Sequence, residues 1–95
     1  MTSEKILQDY LLSRAKEHGI YARKVIATGQ TGFPDILVAR YGRIALVELK
    51  SPKGNGRLSK KQIIEIAALK EADINVYIID SFEGVDNVIR QIADA

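Results

Sequence analysis

Apolar residues recur at Leu7, Tyr10, Leu11 and Ala15, the three-and-four spacing of one helical face. This predicts a first helix capped by Ser3 and closed at His18-Gly19, where glycine suits the left-handed position after a helix. From Ile20 to Ala27 the pattern becomes extended and predicts a strand. Thr28-Gly29-Gln30-Thr31-Gly32 is turn chemistry, and Pro34 leads into a short apolar strand, Asp35-Ile36-Leu37-Val38-Ala39. Tyr41-Gly42 turns the chain into Ile44-Ala45-Leu46-Val47-Glu48-Leu49-Lys50. That third strand is nearly continuous in apolar character, which places it centrally with both faces covered.

The second half alternates. Ser51-Pro52-Lys53-Gly54-Asn55-Gly56 is a loop, after which Ser59 and Gln62 have capping-box spacing, with Leu58 and Ile63 placed as the hydrophobic staple. A second helix therefore starts there and runs to about Ala72. Ile74 to Ile79 is a fourth strand, and Val85, Val88, Ile89 and Ile92 mark a final amphipathic helix after Asp80-Ser81. The order αβββαβα predicts an α/β fold, one mixed sheet with helices packed against it. At 95 residues, one domain spanning residues 1–95 with a single core is expected.

Two charged residues interrupt this apolar pattern. Glu48 and Lys50 lie two apart on the third strand, so their side chains share one face while Leu49 points into the other. Asp35 opens the neighbouring strand of the hairpin, from which its carboxylate can reach the same spot. Two converging carboxylates form a hard-oxygen site suited to Mg²⁺ or Mn²⁺, with coordination positions left for water and a phosphate oxygen. Lys50 is then placed to orient the water or to stabilise extra negative charge on phosphorus. The plain alternative is a pair of surface residues on a half-exposed strand. Against it, Glu48 follows Ile44 to Val47 with no intervening charge, and a strand so apolar would desolvate the carboxylate unless a cation compensates it.

Composition narrows the chemistry. There is no cysteine, so disulfides and thiolate zinc sites are excluded, and His18 is the only histidine. Carboxylates are the plentiful metal ligands. No apolar run approaches the roughly 20 residues of a membrane span, and the start Met-Thr-Ser-Glu-Lys lacks a signal-peptide core. A cytoplasmic protein with no membrane partner is expected. The net charge of +2 hides an asymmetry: residues 21–61 carry nine bases against only Asp35 and Glu48, a net of +7, whereas residues 62–95 sum to −5. A basic middle suggests a polyanion-binding face.

Gly32-Phe33-Pro34-Asp35, Val47-Glu48-Leu49-Lys50 and Arg57-Leu58-Ser59-Lys60-Lys61-Gln62 together resemble the standalone, virus-type VRR-NUC domain of the PD-(D/E)xK nuclease superfamily. The resemblance covers nearly the whole chain. It implies a restriction-endonuclease-like αβββαβ core with a C-terminal helix. It also implies Asp35 and Glu48 as metal ligands, the Leu49 carbonyl as a third, and Lys50 as catalytic base or charge stabiliser. Glu4, on the helix face of Leu7 and Leu11, corresponds to a glutamate that supports the active site; otherwise it is a first-turn acid complementing the helix dipole. Gln62 is fully explained as a capping-box partner, while the family sets this glutamine near the active site, and one residue can serve both ends.

Lys60 and Lys61 fall in the first turn of the second helix, where the dipole disfavours cations by a few tenths of a kcal/mol to about one. A phosphate backbone docked on Lys53, Arg57, Lys60, Lys61 and the helix N-terminus would account for them; exposed lysines that simply tolerate the cost are the alternative. The expectation is a metal-dependent DNA endonuclease acting on branched DNA such as four-way junctions, as a homodimer, in a bacterial or virus-infected cytoplasm. Its rivals are a nucleic-acid-binding or assembly subunit that kept the fold without the activity, and an unrelated α/β interaction domain.

Overall fold

The structure is a computed structural model that describes residues 3–26, 32–51 and 57–94. Helix α1 (Ser3–Glu17) buries Leu7, Leu11 and Ala15 completely, as their spacing requires. Ser3 is its first described residue. The C-terminal stop is the expected one. Gly19 adopts φ +67°, its N–H bonds the Lys16 carbonyl at 3.2 Å, and the Ile20 N–H bonds the Ala15 carbonyl at 2.8 Å. These two bonds form a Schellman motif, with the buried Ile20 packing beyond the glycine.

Strand β1 (Tyr21–Lys24) is shorter than the extended run in the sequence, because the Ile20 N–H is taken by the stop of α1, while Ala27 and the turn residues 28–31 lie outside the described residues. The Val25 N–H adds one further bond, 2.8 Å, to the Asp35 carbonyl. Strands β2 (Ile36–Arg40) and β3 (Arg43–Leu49) form an antiparallel hairpin. Its two turn residues, Tyr41 and Gly42, have φ of +50° and +83°, the primed geometry that matches strand twist. Helix α2 (Lys60–Glu71) then crosses to β4 (Asn75–Ile79), which pairs parallel with β3, and α3 (Phe82–Ala93) closes the chain behind the cap Ser81. The strand order is β1-β2-β3-β4, so β3 is an interior strand as expected.

The sheet separates two layers. One face carries Ile36, Val38, Ala45, Val47, Leu49 and Ile79 into a single core with α1 and α3. An edge-to-face contact between Tyr10 and Phe82 at 5.0 Å and a 2.8 Å bond from the Tyr10 hydroxyl to Asp86 tie the two helices together. The alternate residues of β3, Leu46 and Glu48, face the other way, where the α2 side chain Gln62 meets Glu48. Among the described residues no helix is long and apolar enough to cross a membrane.

Candidate active site

Glu48 is the one charged residue among the buried side chains described, with 2% of its surface exposed. Strand alternation puts it there: Val47 and Leu49 must face the α1/α3 core, so residue 48 is forced under α2. Its Oε2 accepts a 2.8 Å hydrogen bond from Gln62 Nε2 and lies 3.5 Å from Lys50 Nζ. Its Oε1 is buried and has no hydrogen-bond partner. Burial and then the Asp35 charge push the Glu48 carboxyl up to about 7, with a smaller upward push from Glu4, while Lys50 opposes the rise.

Asp35 sits where β2 begins. Its N–H bonds the Val47 carbonyl at 3.0 Å, extending the ladder by one residue, and its Oδ2 accepts the Leu49 N–H at 2.9 Å. A residue's N–H and C=O point to the same side of a strand, so the Leu49 carbonyl also faces the Asp35 side. Asp35, Leu49 and Glu4 line a cleft of about 360 Å³ together with Lys5, Gln8 and Lys24. Lys24, Lys5 and Gln8 were not singled out from the sequence. Lys5 and Gln8 could have been found as the helix-face neighbours of Glu4, and Lys24 only from the register that sets it opposite Ile36. A second hollow of about 350 Å³, bounded by Lys70, Asp73 and Asn75 to Tyr77, holds the single acid Asp73.

Gln62 serves both ends. Ser59 caps α2, its Oγ accepting the Gln62 N–H at 3.1 Å, while Gln62 Oε1 accepts the Ser59 N–H at 2.9 Å. The same Oε1 accepts Lys50 Nζ at 2.9 Å, and Nε2 donates to Glu48. This assignment of oxygen and nitrogen follows from chemistry, since an ammonium and an amide N–H need an acceptor and a carboxylate needs a donor. The expected staple contributes little, because Ile63 is 54% exposed. Helix α2 is instead seated by Gly32, at φ +90°. A Cβ on that glycine would lie 2.7 Å from the carbonyl carbon and oxygen of Lys61 and 3.0 Å from the Gln62 nitrogen. No side chain fits there without moving the turn of helix that carries Gln62.

The structure therefore brings Asp35, Glu48, Leu49, Lys50 and Gln62 together, with Glu4 on the rim of the adjoining cleft. Arg57, Lys60 and Lys61 are exposed at the start of α2, and Lys53 lies outside the described residues. Among the described residues no three His, Cys, Asp or Glu side chains converge as a metal cage. The donor set is thus two carboxylates and a backbone carbonyl. It suits an oxygen-seeking dication, which the unpartnered buried oxygen of Glu48 would accept.

A mixed sheet with a buried Glu48, a half-buried Asp35 and a lysine at the open end of one hairpin is an α/β domain with an acidic site at the end of its sheet. Comparison with known proteins specifies which one: the VRR-NUC domain family matches residues 2–83, and the chain belongs to it. A solved structure titled as a VRR_NUC domain is 32% identical, covers 95% of this chain and 97% of its own, and superposes with a TM-score of 0.84. A second, a VRR_NUC domain protein, shares the fold at 18% identity and a TM-score of 0.76, covering 97% of this chain and 88% of its own. No curated protein matches.

Proposed function

We propose that this chain is a divalent-metal-dependent DNA endonuclease that acts on branched DNA, such as a four-way junction, as a homodimer. The observation that carries the reading is Glu48, a buried carboxylate with one oxygen unpartnered, beside Asp35 and Lys50. A cost of that kind persists where a cation or a reaction requires it. Asp35, Glu48 and the Leu49 carbonyl would hold Mg²⁺ or Mn²⁺. Bound there, the ion would supply an acidified water and withdraw charge from the phosphoryl oxygens.

The protein's own groups do the rest. Lys50 is fixed by Gln62 on one side and Glu48 on the other, so its ammonium stands where negative charge grows on a pentacoordinate phosphorus. Gln62 positions both charged groups and ties them to the helix cap. Glu4 adds negative field from the cleft rim. Lys53, Arg57 and Lys61 are assigned to the DNA backbone, where they set position rather than sequence. Labelled linear, flapped and four-way DNA incubated with Mg²⁺, Mn²⁺ or EDTA tests the reading. Cleavage with either metal, its loss in EDTA, and its loss in Asp35→Asn, Glu48→Gln and Lys50→Met are expected. A folded Glu48→Gln variant that cuts at the parent rate overturns it.

A further inference from the structure

Helix α2 is apolar on the side that faces away from the sheet. It buries Ile66 at 5% exposure and half-buries Gln62 and Leu69, yet leaves Ile63 and Ile64 exposed at 54% and 68%, with Ala67 and Ala68 exposed beside them. A helix that is apolar on opposite sides is one covered on both. At about 100° per residue, Lys60, Ile64, Ala67 and Glu71 run down the middle of this outer face, with Ile63 and Ala68 on its flanks. Lys61 falls about 100° round from Lys60, off the face and free for phosphates.

The face is self-complementary. Its residues are arranged symmetrically about the point midway between Glu65 and Ile66: Lys60 mirrors Glu71, Ile63 mirrors Ala68, and Ile64 mirrors Ala67. Laid antiparallel on a second copy about a two-fold axis at that point, Ile64 meets the partner's Ala67 across the midline, while the flanking Ile63 and Ala68 each face their own symmetry mate. Each helix's Lys60 also meets the other's Glu71, giving two equivalent ion pairs. Among the described residues neither Lys60 nor Glu71 is in an ion pair, and both are exposed. Antiparallel helices oppose their dipoles favourably, and the small alanines allow close approach.

We propose that this outer face of α2 is the contact through which two copies of the chain pair. The proposal rests on the homodimer reading above and names its surface. It also puts assembly and active site on one helix, since the opposite side of α2 holds Gln62 on Lys50 and Glu48.

Sedimentation velocity across a micromolar concentration series, with circular dichroism to verify folding, tests it. Ile64→Glu is expected to weaken pairing at least about tenfold, because it buries a charge on both sides of the axis. Lys60→Glu and Glu71→Lys are each expected to weaken it by roughly threefold to tenfold, and the double variant Lys60→Glu/Glu71→Lys to restore it, since the swap rebuilds both pairs. A dimer unaffected by Ile64→Glu, or a double swap no better than the singles, overturns the surface while leaving a homodimer standing. A parent protein that is monomeric throughout, with and without junction DNA, overturns the pairing altogether. The nuclease reading fails separately, on cleavage alone.

Discussion

Glu48 carries a cost that the surrounding packing does not remove. Its carboxyl titrates near 7 in the folded chain against an ordinary value of 4.5, mainly because it is buried and partly because Asp35 is charged. A raised acid value means the folded state binds more protons than the unfolded one between those two points, so without metal the protein loses stability as pH rises from about 4.5 to about 7. The loss is fully present above that range and absent below it. It amounts to something on the order of 3 kcal/mol, comparable with the gain from burying one large aliphatic side chain. Thermal unfolding in EDTA from pH 4.5 to 8 is expected to show this fall in the parent protein and a flattened profile in Glu48→Gln. Above pH 7 the variant should be the more stable of the two. Adding Mg²⁺ or Mn²⁺ at pH 8 should stabilise the parent by mass action and leave Glu48→Gln nearly unmoved. A parent profile as flat as the variant's would show that the carboxylate is compensated within the chain itself.

Helix α2 owes its start to one residue with two duties, and a pair of substitutions separates them. Ser59→Ala removes the hydroxyl that accepts the Gln62 N–H and should cost about 1 kcal/mol, as cap losses do, while leaving Gln62 on Lys50 and Glu48. Gln62→Ala removes the reciprocal cap bond and frees both charged groups. Denaturant melts are expected to place the two variants close together in stability, whereas cleavage rates should fall at least about tenfold in Gln62→Ala and little in Ser59→Ala. Equal losses of rate would assign Gln62 to the cap alone. This element also shows what the sequence could tell. The capping box, the glycine stop of α1, the hairpin turn at Tyr41-Gly42 and the buried stripe of α3 were legible, because each is set by residues within a few positions of one another. Glu48, Lys50 and Asp35 were legible because strand alternation and one hairpin bring them together. The seating of Gly32 against Lys61, the place of Lys24 on the cleft, and the pairing of β4 with β3 were not. They depend on which distant segments meet, and the local pattern carries no record of that. The strand expected to begin at Ile20 begins instead at Tyr21, because the Ile20 N–H is taken by the Ala15 carbonyl in the stop of α1.

Charge is sorted along the sequence, with residues 21–61 at a net +7 and residues 62–95 at −5, and Arg57 and Lys61 of the basic segment are exposed at the start of α2. Arg57 and Lys61, assigned to phosphates, should govern how steeply DNA affinity falls with salt. Arg57→Ala/Lys61→Ala is expected to lower the slope of log affinity against log salt by about one to two units, equally for all sequences, in a fluorescence-anisotropy titration. The larger consequence of the proposed assembly concerns how many strands are cut in one encounter. One copy of the chain offers one candidate metal site among its described residues, whereas a two-fold pair offers two, related by the same symmetry as a four-way junction. A supercoiled plasmid that extrudes a cruciform distinguishes these cases, because the junction vanishes once supercoiling is released by a first, unpaired nick. Two cuts within one bound complex give linear product, and independent cuts give nicked circles. With the parent protein, linear product should dominate from the earliest times. Mixed with an excess of Asp35→Asn protein, the pairs become mostly one-sited, and the product should shift to nicked circles. Nicked circles dominating with the parent protein from the outset would mean that each chain cuts alone, whatever its state of assembly in free solution.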